Sequence, residues 1–412
     1  MEIHKIALID FTKNNNIIEY IVNNFNVPII LIKLCNVKDN SLQENSSLKI
    51  VNINGDLSCL KEVNWIINLY DEEQDTLFLH HVYDKITHYL SDHIIISSNS
   101  IFLLDLIESK VLNNICYNLM IIDFVNSDNV IKLIQCALYK KRSEGRAVDM
   151  LLHSFSYANL IICNNTPGLV LDRIMSFLLV ISLVGACDFH INVEEVDFII
   201  ANNHIGIPSG IFKILDKMGL DNFVTTTKSI VRLLPMHDHL NQLYNLIPQI
   251  VFQMISDGYT GSTSDIGGFY RSYELYNGYN DQVIDLYTGL YRSVSYVNHE
   301  FGNIQSLFNV GNKYGKFMRY IWSNTLVYIA SLVPELSSNI SVIDKALKLA
   351  YEWKYGPFEI IDMLNNCDNN NKSWFFESAI KYDNLPKILS LNKKMYNSKG
   401  QYLNVEDGNY RS

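Results

Sequence analysis

Gly210-Ile211-Phe212-Lys213-Ile214-Leu215-Asp216 returns later in the same chain as Gly356-Pro357-Phe358-Glu359-Ile360-Ile361-Asp362. Upstream of each copy, Val196-Asp197 is answered by Ile343-Asp344 at nearly the same offset. A shared heptad with a matching upstream pair points to a duplicated helical unit. Two copies in one chain can bury their apolar faces on each other, so a pseudo-symmetric monomer is expected. Working outward, Thr166-Pro167 has the form of an N-cap and first-turn proline, predicting a long apolar helix from about Leu169. From there to Asp257 the pattern is helical, and it is helical again from Lys313 to Leu364. A polar, glycine-bearing loop occupies Gly258 to Gly268, and Asn365 to Lys372 form an asparagine-rich loop. The tail from Met395 to Ser412 alternates tyrosines with Lys-Gly and Asp-Gly pairs, the pattern of a small hairpin.

Ahead of the repeat the pattern changes. Ile6-Ile9, Ile29-Leu34, Trp65-Leu69, Ile94-Ser97 and Leu119-Ile122 are short apolar runs. Helix-like segments follow them, including Asn16-Asn23, Leu77-Tyr89 and Val130-Tyr139, and Leu160-Cys163 could add a last strand. Buried strands alternating with helices predict an α/β, doubly wound (Rossmann-like) parallel sheet. The expected organisation is a sheet domain over 1–164, a first helical domain over 165–275, a linker over 276–310, a second helical copy over 311–372, and a tail over 373–412.

Composition narrows the function classes. The chain has 412 residues, 48% hydrophobic and 18% charged, with a formal charge of −10, which is ample for a core and suits more than one domain. With 33 basic against 43 acidic residues, nucleic acid is not expected as a partner. Seven scattered cysteines without CxxC spacing read as reduced thiols of a cytoplasmic protein, with no zinc site. Ile6-Ile9 is too brief for an export-signal core. Ile174-Cys187 falls short of the roughly 20 residues a membrane span needs, so no membrane is expected.

Several landmarks fall in a familiar order. Asn165-Thr166-Pro167-Gly168, Val193-Glu194-Glu195-Val196-Asp197, Gly206-Ile207-Pro208, Gly219-Leu220-Asp221 and Gly267-Gly268-Phe269-Tyr270 resemble the 3-hydroxyacyl-CoA dehydrogenase family. Lys313-Tyr314-Gly315-Lys316-Phe317 through Trp353-Lys354-Tyr355-Gly356-Pro357-Phe358-Glu359 is similar to its second helical copy. The arrangement resembles the long bacterial form, in which the dehydrogenase is fused to an enoyl-CoA hydratase. The resemblance implies an NAD-dependent oxidoreductase of fatty-acid β-oxidation acting on acyl-CoA. No hydratase region follows the tail in this sequence, which leaves room for a separate hydratase partner.

The resemblance also locates a cofactor turn. Family members open with strand, GxGxxG and helix, whose glycines let backbone approach the dinucleotide pyrophosphate. Here that run is Ile6-Ala7-Leu8-Ile9-Asp10-Phe11-Thr12-Lys13-Asn14-Asn15, placing Asp10, Thr12 and Asn15 at the glycine positions. The first glycine of the chain is Gly55. Lys33 stands where the family carries an acidic residue for the ribose hydroxyls. Glu72 matches a glutamate near the nicotinamide ribose, or is a solvated member of Asp71-Glu72-Glu73.

In the family a histidine takes the proton as hydride leaves for NAD, and a glutamate orients that histidine. The matching segment is Asp123-Phe124-Val125-Asn126-Ser127-Asp128-Asn129-Val130-Ile131-Lys132-Leu133-Ile134-Gln135, with Asn126 and Lys132-Leu133 holding the register. The histidine position is then Asp123 and the glutamate position Gln135. A carboxyl with an ordinary pKa of about 3.9 is poorly suited to proton exchange near neutrality. Ser100 matches a serine that touches substrate oxygen, or caps the helix-like Ile101-Ile107. Asn165 matches an asparagine beside the reacting group, or is a capping residue. A family lysine near Gly258 is replaced by Ser262-Thr263-Ser264.

Elsewhere, His80-His81 and His237-Asp238-His239 lack a spaced partner for a metal, and Lys140-Lys141-Arg142 reads as a solvated helix end. Phosphate turn and catalytic pair are independent requirements, and both are replaced. The expectation is therefore a family protein whose dehydrogenase activity is lost or severely weakened. The alternatives are a working dehydrogenase rebuilt around Asp123, or a non-catalytic acyl-CoA-binding scaffold beside a separate hydratase.

Overall fold

The computed structural model describes residues 3–10, 15–24, 27–33, 46–69, 76–91, 94–99, 104, 107, 118–127, 130–139, 159–202, 207–275, 278–295, 308, 310–365, 375 and 385–412. The chain divides into two compact units, Met1–Asn165 and Thr166–Ser412.

The first unit is built on an eight-stranded sheet: β1 (Ile6–Asp10), β2 (Ile29–Lys33), β3 (Leu48–Asn52), β4 (Trp65–Leu69), β5 (Ile95–Ser98), β6 (Asn118–Ser127), β7 (Val130–Leu138) and β8 (Leu160–Cys163). Helix α1 (Asn15–Asn24) follows β1, and α2 (Thr76–Ile86) lies between β4 and β5. The strand order is β3-β2-β1-β4-β5-β6-β7-β8. Pairing is parallel except between β6 and β7. The central strands are near-continuous apolar runs because the sheet is buried on both faces. Two of its buried polar side chains are paired: Trp65 Nε1 donates to Ser97 Oγ at 3.0 Å, and Asn68 Nδ2 to the Ser97 carbonyl at 2.8 Å.

Two features depart from the sequence reading. Val130–Leu138, expected as helix, is a strand antiparallel to β6 and parallel to β8. Its apolar run carries no decisive period, and buried partners on both edges settle it as strand. Strand β3 adds an edge beyond the strands expected from the sequence, pairing with β2.

The second unit is mainly helical. Its first copy contains α3 (Leu171–Asp188), α4 (Val193–Asn202), α5 (Ile211–Met218), α6 (Leu220–Leu233), α7 (His239–Tyr244) and α8 (Gln249–Ser256). A three-stranded antiparallel sheet follows: β9 (Tyr270–Leu275), β10 (Gly278–Ile284) and β11 (Tyr291–Ser293). The second copy has α9 (Lys313–Ser331), α10 (Ile340–Tyr351), α11 (Pro357–Asn365) and α12 (Lys387–Ser390), and ends in the paired strands β12 (Tyr402–Leu403) and β13 (Tyr410–Arg411). The hairpin expected in the tail is thus present. Residues read as a linker carry β10 and β11 instead, with Val283 and Ile284 buried. The first long helix starts at Leu171, close to the expected Leu169, but Thr166-Pro167 does not cap it. Its N-cap position is Val170, with no side-chain cap, because residues 167–170 form a turn through Gly168 at φ 75°.

The repeat holds its loops with buried carboxylates. Asp197 accepts from the Phe212 and Lys213 amides at 2.8 and 3.1 Å and from the Tyr270 hydroxyl at 3.0 Å. Asp344 accepts from the Phe358 amide at 2.9 Å and the Tyr396 hydroxyl at 2.7 Å. Asp216 accepts from the Phe269 and Tyr270 amides, and Asp362 does so from Met395 and Tyr396. Tyr396 therefore does in the second copy what Tyr270 does in the first, so the tail completes the second copy. The copies meet along α3 and α9, where Phe177 and Tyr328 stack with ring centroids 4.0 Å apart. Arg173, 1% exposed, bonds Tyr328 at 3.0 Å, Glu335 at 2.5 Å and Asp238 at 2.6 Å.

Candidate functional site

In a doubly wound sheet, ligands bind beyond the carboxyl ends of the strands where the strand order reverses. That point falls here between β1 and β4, which leave the sheet at Asp10 and Leu69. Ile9 pairs with Ile32, so Asp10 and Lys33 leave adjacent strand ends side by side, each half-buried. Asn15 opens α1. Thr12, Glu72 and Ser100 lie outside the described residues, as do Lys140-Lys141-Arg142 and most of the asparagine-rich loop.

The antiparallel hairpin of β6 and β7 brings Asp123 directly opposite Gln135. Gln135 is fully buried and its Nε2 donates to Asp123 Oδ2 at 2.7 Å. Gln135 Oε1 is also buried and has no hydrogen-bond partner among the described residues. Asp123 keeps part of its surface open. Burial pushes its carboxyl above the ordinary range, against smaller opposing effects of the Gln135 amide and the Phe124 backbone N–H. The neighbouring Cys136 thiol is raised by burial, then by Cys163 and Asp123. The pair can exchange hydrogen bonds with a ligand, but it contains no imidazole to titrate near neutrality.

Asn165 is exposed, and its Nδ2 donates to the Tyr139 carbonyl at 3.0 Å, tying the exit of β8 to the end of β7. Among the sequence-predicted residues, the described structure thus brings Asp123 to Gln135 and Asp10 beside Lys33. The dry Gln135 oxygen and the two flanking thiols carry no motif, and only the hairpin pairing exposes them. Asp238 of the His237-Asp238-His239 run is taken up structurally, capping α7 through the Leu240 amide and pairing with Arg173. Among the described residues no group of three or more metal-capable side chains is found. No helix among them is long and apolar enough to cross a membrane.

A Rossmann-like sheet followed by a helical half defines a dehydrogenase-type architecture. A solved structure of 3-hydroxybutyryl-CoA dehydrogenase from Escherichia coli K12 shares this fold, with a TM-score of 0.58 at 13% identity over 90% of this chain and 97% of that one. The dehydrogenase part of multifunctional enzyme 1 from C. elegans gives 0.54 at 14% identity, over 92% and 88%. No protein-family model matches the chain. In sequence, the chain is 30% identical over 368 residues to a Rickettsia prowazekii protein named as a fatty acid oxidation complex trifunctional enzyme, covering 86% of this chain and 50% of that protein. It is 24% identical over 405 residues to a Bacillus subtilis protein named as a 3-hydroxyacyl-CoA dehydrogenase, covering 90% and 49%. The curated relatives are thus named as a fatty acid oxidation trifunctional enzyme and a 3-hydroxyacyl-CoA dehydrogenase, and the structural neighbours are dehydrogenases acting on 3-hydroxyacyl-CoA. It spans about half the length of the curated relatives it matches.

Proposed function

We propose that this chain keeps the family's acyl-CoA-binding role in fatty-acid oxidation but oxidises 3-hydroxyacyl-CoA weakly or not at all. The observation that carries this reading is the Asp123–Gln135 pair. Where the family places a titrating imidazole and a charged carboxylate, this chain has a carboxyl tied to a neutral amide at 2.7 Å. General acid–base assistance is worth about 10²–10⁴ in rate, so its loss cripples turnover.

The cofactor side supports the same reading. NAD is the cofactor the resemblance implies, and its pyrophosphate sits where a glycine turn lets backbone amides approach. Asp10 ends β1 with a half-buried carboxyl at that point, which adds volume and negative charge where the phosphates need neither. The residues present do not fit a dinucleotide held in the family's manner. A soluble role in the cytoplasm completes the proposal.

The test is acetoacetyl-CoA-dependent oxidation of NADH by the purified, folded chain, followed by absorbance. The expected result is no measurable turnover, with Asp123→His plus Gln135→Glu restoring little because the glycine turn is still missing. Clear turnover by the unmodified chain overturns the proposal. Strong recovery by the double variant overturns its cofactor half.

A further inference from the structure

A groove of about 470 Å³ opens in the helical unit between α8 and the turn that joins β10 to β11. Its floor is apolar, made by the buried Met254, Ile284 and Leu286. Tyr287 on its lip is exposed, as are Leu246 and Leu290, which flank lining residues in the chain. Along the α8 wall Gln249, Gln253 and Asp257 recur every fourth residue and so share one helix face. That stripe runs about 12 Å, the span of about four residues of extended chain. The opposite wall is held in place without a ligand: Asp285 accepts from the Tyr287 and Thr288 amides at 3.0 and 2.8 Å and fixes the turn. A wall that is already formed lowers the ordering cost of binding.

Charge selects what can lie there. None of the lining residues is a cation. Asp257 is exposed at the C-cap of α8, and Gln253 Nε2 reaches its two oxygens at 3.3 and 3.1 Å. The negative end of the helix adds to that carboxylate. A second copy of this chain, with a net charge of −10, brings mostly like charge to such a site, whereas a basic partner brings the complement.

We propose that this groove binds an extended segment of a partner polypeptide, about four residues long, whose apolar side chains cover the floor and whose single Lys or Arg pairs with Asp257. The apolar floor supplies the attraction, and Asp257 fixes which end of the segment carries the base. The proposal does not rest on the acyl-CoA reading.

The test is fluorescence anisotropy of labelled, end-blocked tetrapeptides titrated with the full chain at low ionic strength. One set carries Lys or Arg at a single position and Leu, Ile, Val or Phe at the others. A second set has Glu in place of the base, and a third keeps the base but has serine elsewhere. The first set is expected to bind about fivefold tighter than the Glu set, the scale of one exposed ion pair, and the serine set is expected not to bind. Asp257→Lys, a charge that suits an exposed helix C-terminus, should turn the preference round in favour of the Glu set. Glu406→Lys, which changes the net charge equally from the turn between β12 and β13, should leave it as in the wild type. Absence of binding by every base-bearing apolar peptide up to about 1 mM overturns the proposal. Equal affinity for the Lys and Glu sets overturns it as well, as does equally tight binding of the serine set. The same effect from both variants is fatal too, because the charge of the whole chain then accounts for the attraction. Self-association that Asp257→Lys abolishes, followed by sedimentation, would assign the groove to a second copy and sink the partner segment.

Discussion

The two copies of the helical repeat hold the same loop with different electrostatics. In the first, Lys213 follows Phe212 at the start of α5 and its charge acts in favour of the Asp197 carboxylate. In the second, the corresponding residue is Glu359, which acts against Asp344, and Lys348 pairs with Glu359 at 2.9 Å. The geometry around the two aspartates is nonetheless alike: backbone amides from a helix start and one tyrosine hydroxyl. The lesson is that contacts within the loop are dictated by shape and hydrogen-bond supply, while the outer charges are free to vary. Half-exposed pairs such as Lys348–Glu359 at the surface contribute only about 0–1 kcal/mol, which explains that freedom.

The largest effects should come from the glycines beneath the clamps. A Cβ on Gly356 would lie 2.2 Å from Asp344 Cγ, and one on Gly210 would lie 2.6 Å from Asp197 Cγ with φ already at 83°. Either Gly→Ala change is expected to cost about 3 kcal/mol or more, because the clamp must move off its amides. Urea midpoints measure it, and near-neutral values for either variant break the proposed equivalence of the copies. Next come Tyr270→Phe and Tyr396→Phe, each expected to cost about 1 kcal/mol from one lost hydrogen bond to a carboxyl. Similar losses in both sharpen the comparison, and a loss in one alone refutes it.

The smallest effect is a pH dependence. Burial raises Asp197 and Asp344 to about 7 against the pull of their hydrogen bonds, and Asp216 to about 6. Raised folded-state values mean that the folded chain holds protons the unfolded chain has released. This contribution is full below the ordinary carboxyl range near 3.9 and is lost as pH rises through about 7. Melting temperature should fall from about pH 5 to about pH 8, and less steeply in Asp197→Asn with Asp344→Asn. A flat wild-type profile would show that the backbone amides hold these carboxylates ionised throughout.

The sheet strands were readable because Ile6-Ala7-Leu8-Ile9 and its counterparts are too apolar and too short for anything but buried strands. The repeat was readable from Gly210 and Gly356, whose lack of a side chain is demanded by the aspartates above them. Val130–Leu138 misled because a nine-residue apolar run serves a helix or a doubly buried strand equally well. The sheet of β9 to β11 was hidden by Tyr270-Arg271-Ser272-Tyr273-Glu274-Leu275, where an edge ribbon needs few apolar residues. Of the site, the carboxyl of Asp123 and the neutral amide of Gln135 were visible in the sequence as residue types. Their opposition across a hairpin, and the dry oxygen of Gln135, arise from pairing that no linear spacing reports.

Arg173 sets a timetable. Its partners Tyr328 and Glu335 lie 155 and 162 residues further along the chain. At about 5–20 residues per second, a ribosome needs roughly ten to thirty seconds to deliver them. Until then the guanidinium has no full set of acceptors, and a buried charge without partners is costly enough to keep the first copy from closing. A nascent chain arrested at residue 312 is therefore expected to leave its helices open to protease, whereas the released full-length chain resists. The interlock makes delivery of α9 and the turn after it the signal that lets the first copy seal.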